Sequence, residues 1–162
     1  MLQLLRHFCA ASALLLLTGP AAHALNLTLG DVRAGNLGSH GFTATNSVLS
    51  FDSGTTDQLY QMYGYLGSAA DTVAINGTYF SVASAIAQTS PGVARSSLLL
   101  NAAGGSALGI GTGALRIDDT FTLVNDTSAS DLDSFLWDVS LTNLGASPLA
   151  LSMYQYLDLA LN

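Results

Sequence analysis

Alternation of apolar and polar side chains with a period of two runs through most of this chain and leaves little room for anything but β-structure. Phe135, Trp137, Val139 and Leu141 fall on one face of a strand, with Leu136, Asp138, Ser140 and Thr142 on the other. Leu115 and Ile117, then Phe121 and Leu123, repeat the pattern, as do Leu25, Leu27 and Leu29. Leu149, Leu151 and Met153, followed by Leu157, Leu159 and Leu161, extend it to the end. Successive side chains of a strand point to opposite faces, so this spacing predicts half-buried antiparallel strands.

Turn-forming residues punctuate these runs at Asp52-Ser53-Gly54, Asn76-Gly77, Ser90-Pro91-Gly92, Gly104-Gly105, Asn125-Asp126 and Asn143-Leu144-Gly145. Asn76-Gly77 predicts a tight hairpin between a strand near 71–75 and Thr78–Gln88, because a type I′ turn requires positive φ at both positions. Asn143–Pro148 predicts the link from the tryptophan strand to the last one. The Ala-rich stretch 81–90 carries a helical alternative, although Val82 and Ile86 suit a strand equally well. The expected fold is all-β, an antiparallel β-sandwich of about eight to ten strands. A membrane barrel is disfavoured, because the strands are uneven and many turns are tight.

Residues 1–24 have the form of a signal peptide. Arg6 and His7 precede the apolar run FCAASALLLLT, Gly19-Pro20 breaks it, and Ala22-His23-Ala24 offers a cleavage site. The run is shorter than the roughly 20 apolar residues of a membrane span. Export is therefore expected, to the periplasm, cell surface or medium, with residues 25–162 as one β-sandwich domain that does not span a membrane.

Cleavage removes Cys9, His7 and His23, which leaves no cysteine and His40 as the sole histidine. Zinc sites built from histidine and cysteine are thereby excluded, and a Ser–His–Asp triad would have to use His40. That residue sits in a turn-like segment, Gly38-Ser39-His40-Gly41, where an exposed loop histidine is the plainer reading. The acidic side chains are all aspartate, lysine is absent, and the chain carries a formal net charge of −7. Nucleic acid is a poor partner for such a surface.

Leu49-Ser50-Phe51-Asp52-Ser53-Gly54-Thr55-Thr56 resembles the catalytic turn of aspartic proteases over about six residues. Such an enzyme needs two close aspartates sharing a proton. This chain has one copy, so Asp52 would act only in a homodimer. The later Ala107-Leu108-Gly109-Ile110-Gly111 lacks the polar continuation that the family's second segment carries. A β-turn demands the same residue types, and that reading is preferred; no catalytic residue is assigned.

Asp126, Asp131 and Asp133 crowd oxygen ligands into one loop, as calcium requires, and Asp118-Asp119 adds an acidic pair nearby. The loop departs from the EF-hand pattern, with Asp131 in the glycine position and Trp137 in the twelfth. Weak calcium binding is left open, and no other cofactor is expected. Gly109-Ile110-Gly111-Thr112-Gly113 does not read as a phosphate loop, since no lysine or following helix accompanies it. Trp137, Tyr154 and Tyr156, with the tyrosines at 60, 63 and 65, are candidates for stacking on sugar rings, against the alternative of cross-strand packing.

Thr56-Asp57-Gln58-Leu59-Tyr60-Gln61-Met62-Tyr63-Gly64-Tyr65 resembles a segment of exported bacterial proteins of the PEP-CTERM sorting-signal type. So does the pairing of Trp137-Asp138-Val139-Ser140-Leu141-Thr142-Asn143 with Tyr154-Gln155-Tyr156-Leu157-Asp158-Leu159. The resemblance implies a role at the cell surface or in the extracellular matrix, with polysaccharide or other surface proteins as partners. The Pro-Glu-Pro sorting signal is missing, and the chain stops at Asn162 within an apparent strand, so a fragment of a longer protein is expected.

Overall fold

A computed structural model describes residues 24–41, 48–51, 59–127 and 133–159. Residues 1–23 of the expected signal peptide 1–24, the segment 52–58 with Asp52, and Asp131 lie outside them. Ten strands and one short helix follow in chain order: β1 (Leu25–Leu29), β2 (Val32–Leu37), β3 (Val48–Ser50), β4 (Leu59–Gly67), β5 (Thr72–Ala74), β6 (Phe80–Ser90), β7 (Val93–Leu100), α1 (Ala102–Leu108), β8 (Leu115–Val124), β9 (Ser134–Asn143) and β10 (Ser152–Leu159). They make three antiparallel sheets, ordered β1-β2-β3, β10-β4-β5 and β6-β7-β8-β9. The fold is the expected all-β sandwich.

The four-stranded sheet forms one layer and the two three-stranded sheets share the other, with β3 adjoining β4. Phe121 and Leu123 of β8 pack under Leu27, Val32, Ala34 and Leu49 of the β1-β2-β3 sheet. Leu115 and Ile117 of the same strand pack with Leu66 and Val73 of the β10-β4-β5 sheet and with Leu108 of the helix. Strand β8 therefore spans both halves of the core, and its strict alternation follows from that. Each of its inward side chains meets the opposite layer.

Bulges explain where the alternation fails. In β2, Ala34 and Leu37 are both buried although they lie three apart. The pairing slips between Leu25/Leu37 and Leu27/Ala34, and Asn36 takes up the extra residue at φ 54°. Strand β6 has three such slips against β7. Val82 and Ile86 both turn inward at a spacing of four, which suits one face of a helix as well as one face of a strand, while Ser84 between them is exposed at the slips; the stretch is a strand.

One predicted connection is corrected. Strand β5 pairs with β4, not with β6. Asn76-Gly77 instead opens a turn in which the Tyr79 and Phe80 amides both donate to the Asn76 carbonyl, carrying the chain from one layer to the other. The segment 143–148 leads from β9 toward β10 as expected, and because those strands belong to different sheets it begins a crossover between layers. The helix stands at 102–108, where Gly104-Gly105 reads as a turn. Asn101 caps it by accepting from the Gly104 amide, and Gly109 ends it in the left-handed region at φ 67°. Gly104 is required there, since a Cβ would sit 2.4 Å from the Tyr79 carbonyl oxygen.

Candidate functional site

The outer face of the β10-β4-β5 sheet carries a ladder of tyrosines. Met62, Gly64 and Leu66 of β4 point into the sandwich, which turns Tyr63 and Tyr65 outward. On β10, Met153 packs inward opposite Leu66, which turns Tyr154 and Tyr156 outward. The register then sets Tyr154 opposite Tyr65 and Tyr156 opposite Tyr63. Side chains in such positions stand about 4.5–5.5 Å apart at their Cβ atoms. The Tyr63 and Tyr65 ring centroids are 6.5 Å apart, tilted by 51°. Tyr154 and Tyr156 remain 55% and 50% exposed, unusual for large aromatic rings.

A shallow groove of about 360 Å³ continues the ladder at one end, lined by Gly67, Ser68, Thr72, Leu151, Ser152 and Tyr154. Gly67 leaves room for the Tyr154 ring, whose Cε2 would lie 3.3 Å from a Cβ at that position. The Ser68 hydroxyl donates to the Leu108 carbonyl at 2.9 Å and accepts from the Ala70 amide at 3.0 Å, which fixes the loop between β4 and β5. No charged side chain lines this groove. In an acidic protein that surface favours an uncharged ligand offering both C–H faces and hydroxyls.

Trp137 is not part of this face. Its ring lies inside the sandwich, stacked on Phe121 at 6.0 Å, and its Cη2 would lie 3.0 Å from a Cβ on Gly64. Its indole N–H donates to Asp119 Oδ1 at 2.8 Å. The structure thus divides the aromatic residues read together from sequence: Tyr154 and Tyr156 face solvent, and Trp137 faces the core.

Asp119 is the functional-looking residue that sequence reading passed over as half of an acidic pair. Asp118 and Asp119 point to opposite faces. Asp118 faces outward in an ion pair with Arg116 at 2.8 Å, while Asp119 is buried, 1% exposed. Its Oδ2 has no hydrogen-bond partner among the described residues. Burial pushes its carboxyl from 3.8 up to about 6, reinforced by the charge of Asp118 and opposed by the Trp137 hydrogen bond. Position 119 falls in the inward register of Leu115, Ile117, Phe121 and Leu123, so the signal was present.

The remaining polar candidates among the described residues do not assemble into chemistry. His40 is half-buried, not exposed, in a turn closed by reciprocal bonds between Gly38 and Gly41. Burial holds its imidazole below the ordinary value, against a hydrogen bond to the Phe80 backbone that raises it. Next to it, the Ser39 hydroxyl accepts from the Ile86 amide and the Ser39 carbonyl accepts from the Ser96 hydroxyl, so both serines brace the sandwich. Asp133 Oδ1 accepts from the Asp126 amide at 2.8 Å, which ties these two residues together. Among the described residues no three His, Cys, Asp or Glu side chains converge as metal ligands, and no helix is long and apolar enough to cross a membrane.

The chain matches no family model, no curated protein and no solved structure. The geometry of its own residues must therefore carry the functional argument.

Proposed function

We propose that this is an exported, non-enzymatic β-sandwich that binds neutral polysaccharide at the cell surface or in the extracellular matrix through Tyr63, Tyr65, Tyr154 and Tyr156. The observation that carries the reading is the cross-strand pairing of these four tyrosines on one sheet face, with no charged side chain lining the groove beside Tyr154. Rigid aromatic rings offer large contact area at low conformational cost, and their hydroxyls supply polar contacts at the edge. The apolar C–H faces of pyranose rings fit such a surface, and a row of rings suits a polymer better than a single sugar. Export rests on the signal-like segment 1–24, and the surface role on the resemblance to PEP-CTERM-type proteins.

Affinity electrophoresis of the full chain through gels containing neutral polysaccharides tests this reading. The wild-type protein is expected to be retarded on at least one of them. The Tyr154→Ala/Tyr156→Ala variant is expected to lose at least about tenfold in affinity, worth about 1.4 kcal/mol. Because both rings are half exposed, the thermal midpoint should change little. Undiminished retardation of the double variant, or no retardation of the wild type on any neutral polymer, would contradict it.

A further inference from the structure

The opposite face of the sandwich holds a second, chemically different hollow. Beside the bulged edge strand β6 an open hollow of about 440 Å³ is lined by Ser84, Arg95, Ser97, Arg116 and Asp118, with the buried Asp119 at its floor. That volume is within the range of sites for small molecules. Of the arginines among the described residues, Arg33, Arg95 and Arg116, two line this one hollow, in a chain with no lysine and a net charge of −7.

The two arginines stand in different states. Arg116 is held by Asp118, whose other oxygen accepts from the Ser97 hydroxyl at 2.6 Å. This fixed pair presents donors and acceptors together, as sugar hydroxyls require. Arg95 has no ion-pair partner among the described residues. Its strand partner is Thr120 and that of Arg116 is Leu99, so the two lie four residues apart along neighbouring strands, roughly 13 Å. A free guanidinium fork matches a carboxylate in bidentate fashion.

We infer that this hollow binds a carboxylate-bearing saccharide unit, a hexuronate, with Arg95 holding the carboxylate and the Arg116–Asp118 pair with Ser97 holding the ring hydroxyls. The site is separate from the tyrosine face and stands without it. A polymer of mixed neutral and uronic units would engage both faces, and two weak sites on one chain gain by effective concentration.

Titration of the full chain with methyl glucuronide and with methyl glucoside, which differ in the carboxylate, tests this by calorimetry or amide chemical shifts. The glucuronide is expected to bind at least tenfold more tightly and to weaken with added salt. Arg95→Gln should abolish that preference while Arg95→Lys keeps part of it. Retention on neutral polysaccharide should be unchanged in Arg95→Gln, which separates this site from the tyrosine face. Equal binding of the two glycosides, no binding of the glucuronide, or an unaltered preference in Arg95→Gln would overturn the inference.

Discussion

Replacing Asp119 by asparagine is expected to stabilise the protein at pH 7–8 by about 1–3 kcal/mol, although the residue is buried. The carboxyl's raised value, about 6 against 3.8, means that the folded state holds the proton more tightly than the unfolded chain. The stability contributed by Asp119 is therefore fully present below about pH 4, declines as the pH rises through about 6, and is gone above it. The full shift corresponds to about 3 kcal/mol. Asparagine keeps an oxygen for the Trp137 N–H and carries no charge, while its new N–H groups need partners, which sets the lower end of the range. Urea denaturation of both proteins from pH 4 to pH 8 checks this. The variant's advantage should be small at pH 4 and grow to a plateau by about pH 7; a difference that does not vary with pH would contradict the buried, ionising Asp119.

Phe121→Ala should have the largest effect in the other direction, a loss of about 3–5 kcal/mol. Phe121 is fully buried and stacks between Phe135 at 6.1 Å and Trp137 at 6.0 Å. Its removal leaves a cavity under the β1-β2-β3 sheet that rings on a hydrogen-bonded strand cannot collapse to fill. The contrast with Tyr154→Ala is informative, since that ring is 55% exposed and should cost little stability. A Phe121→Ala variant with an unchanged denaturation midpoint would mean that the two layers do not meet as described.

The two tests depend on the same feature of β8, and that feature also marks what could be read in advance. Strand β8 and its partner β9 have no slip in register over ten residue pairs, so period two in the sequence translated directly into inward and outward faces. Strand β6 was ambiguous because Val82 and Ile86 stand four apart, a spacing that a helix face and a strand face share, and its bulges left no trace in the pattern. The helix at 102–108 was invisible because its two glycines admit other backbone, Gly104 that of Tyr79 and Gly105 that of Ile110 and Thr112, and propensity carries no record of such contacts. Local turn chemistry misplaced Asn76-Gly77 for a similar reason. The residues do turn the chain, but β5 found its partner in β4.

The tyrosine face was half legible. Alternation places Tyr63 and Tyr65 on one side of β4 and Met62 and Leu66 on the other, but both sides are apolar enough to be buried. Only the position of the four-stranded sheet, with Trp137 pressed against Gly64, decides which side is covered. The pairing of Tyr154 with Tyr65 across strands far apart in sequence is a tertiary fact. The Arg95–Arg116 hollow depends on the bulges of β6 and so shares their illegibility.

The most direct test of the binding reading is an NMR titration of the full chain, labelled in its aromatic rings, with a neutral oligosaccharide that retards the protein in gels. The account predicts that the ring signals of Tyr63, Tyr65, Tyr154 and Tyr156 shift in a saturable way while those of Trp137 and Phe121 stay in place. Shifts centred on Trp137, or a saturable response that spares the four tyrosines, would contradict it.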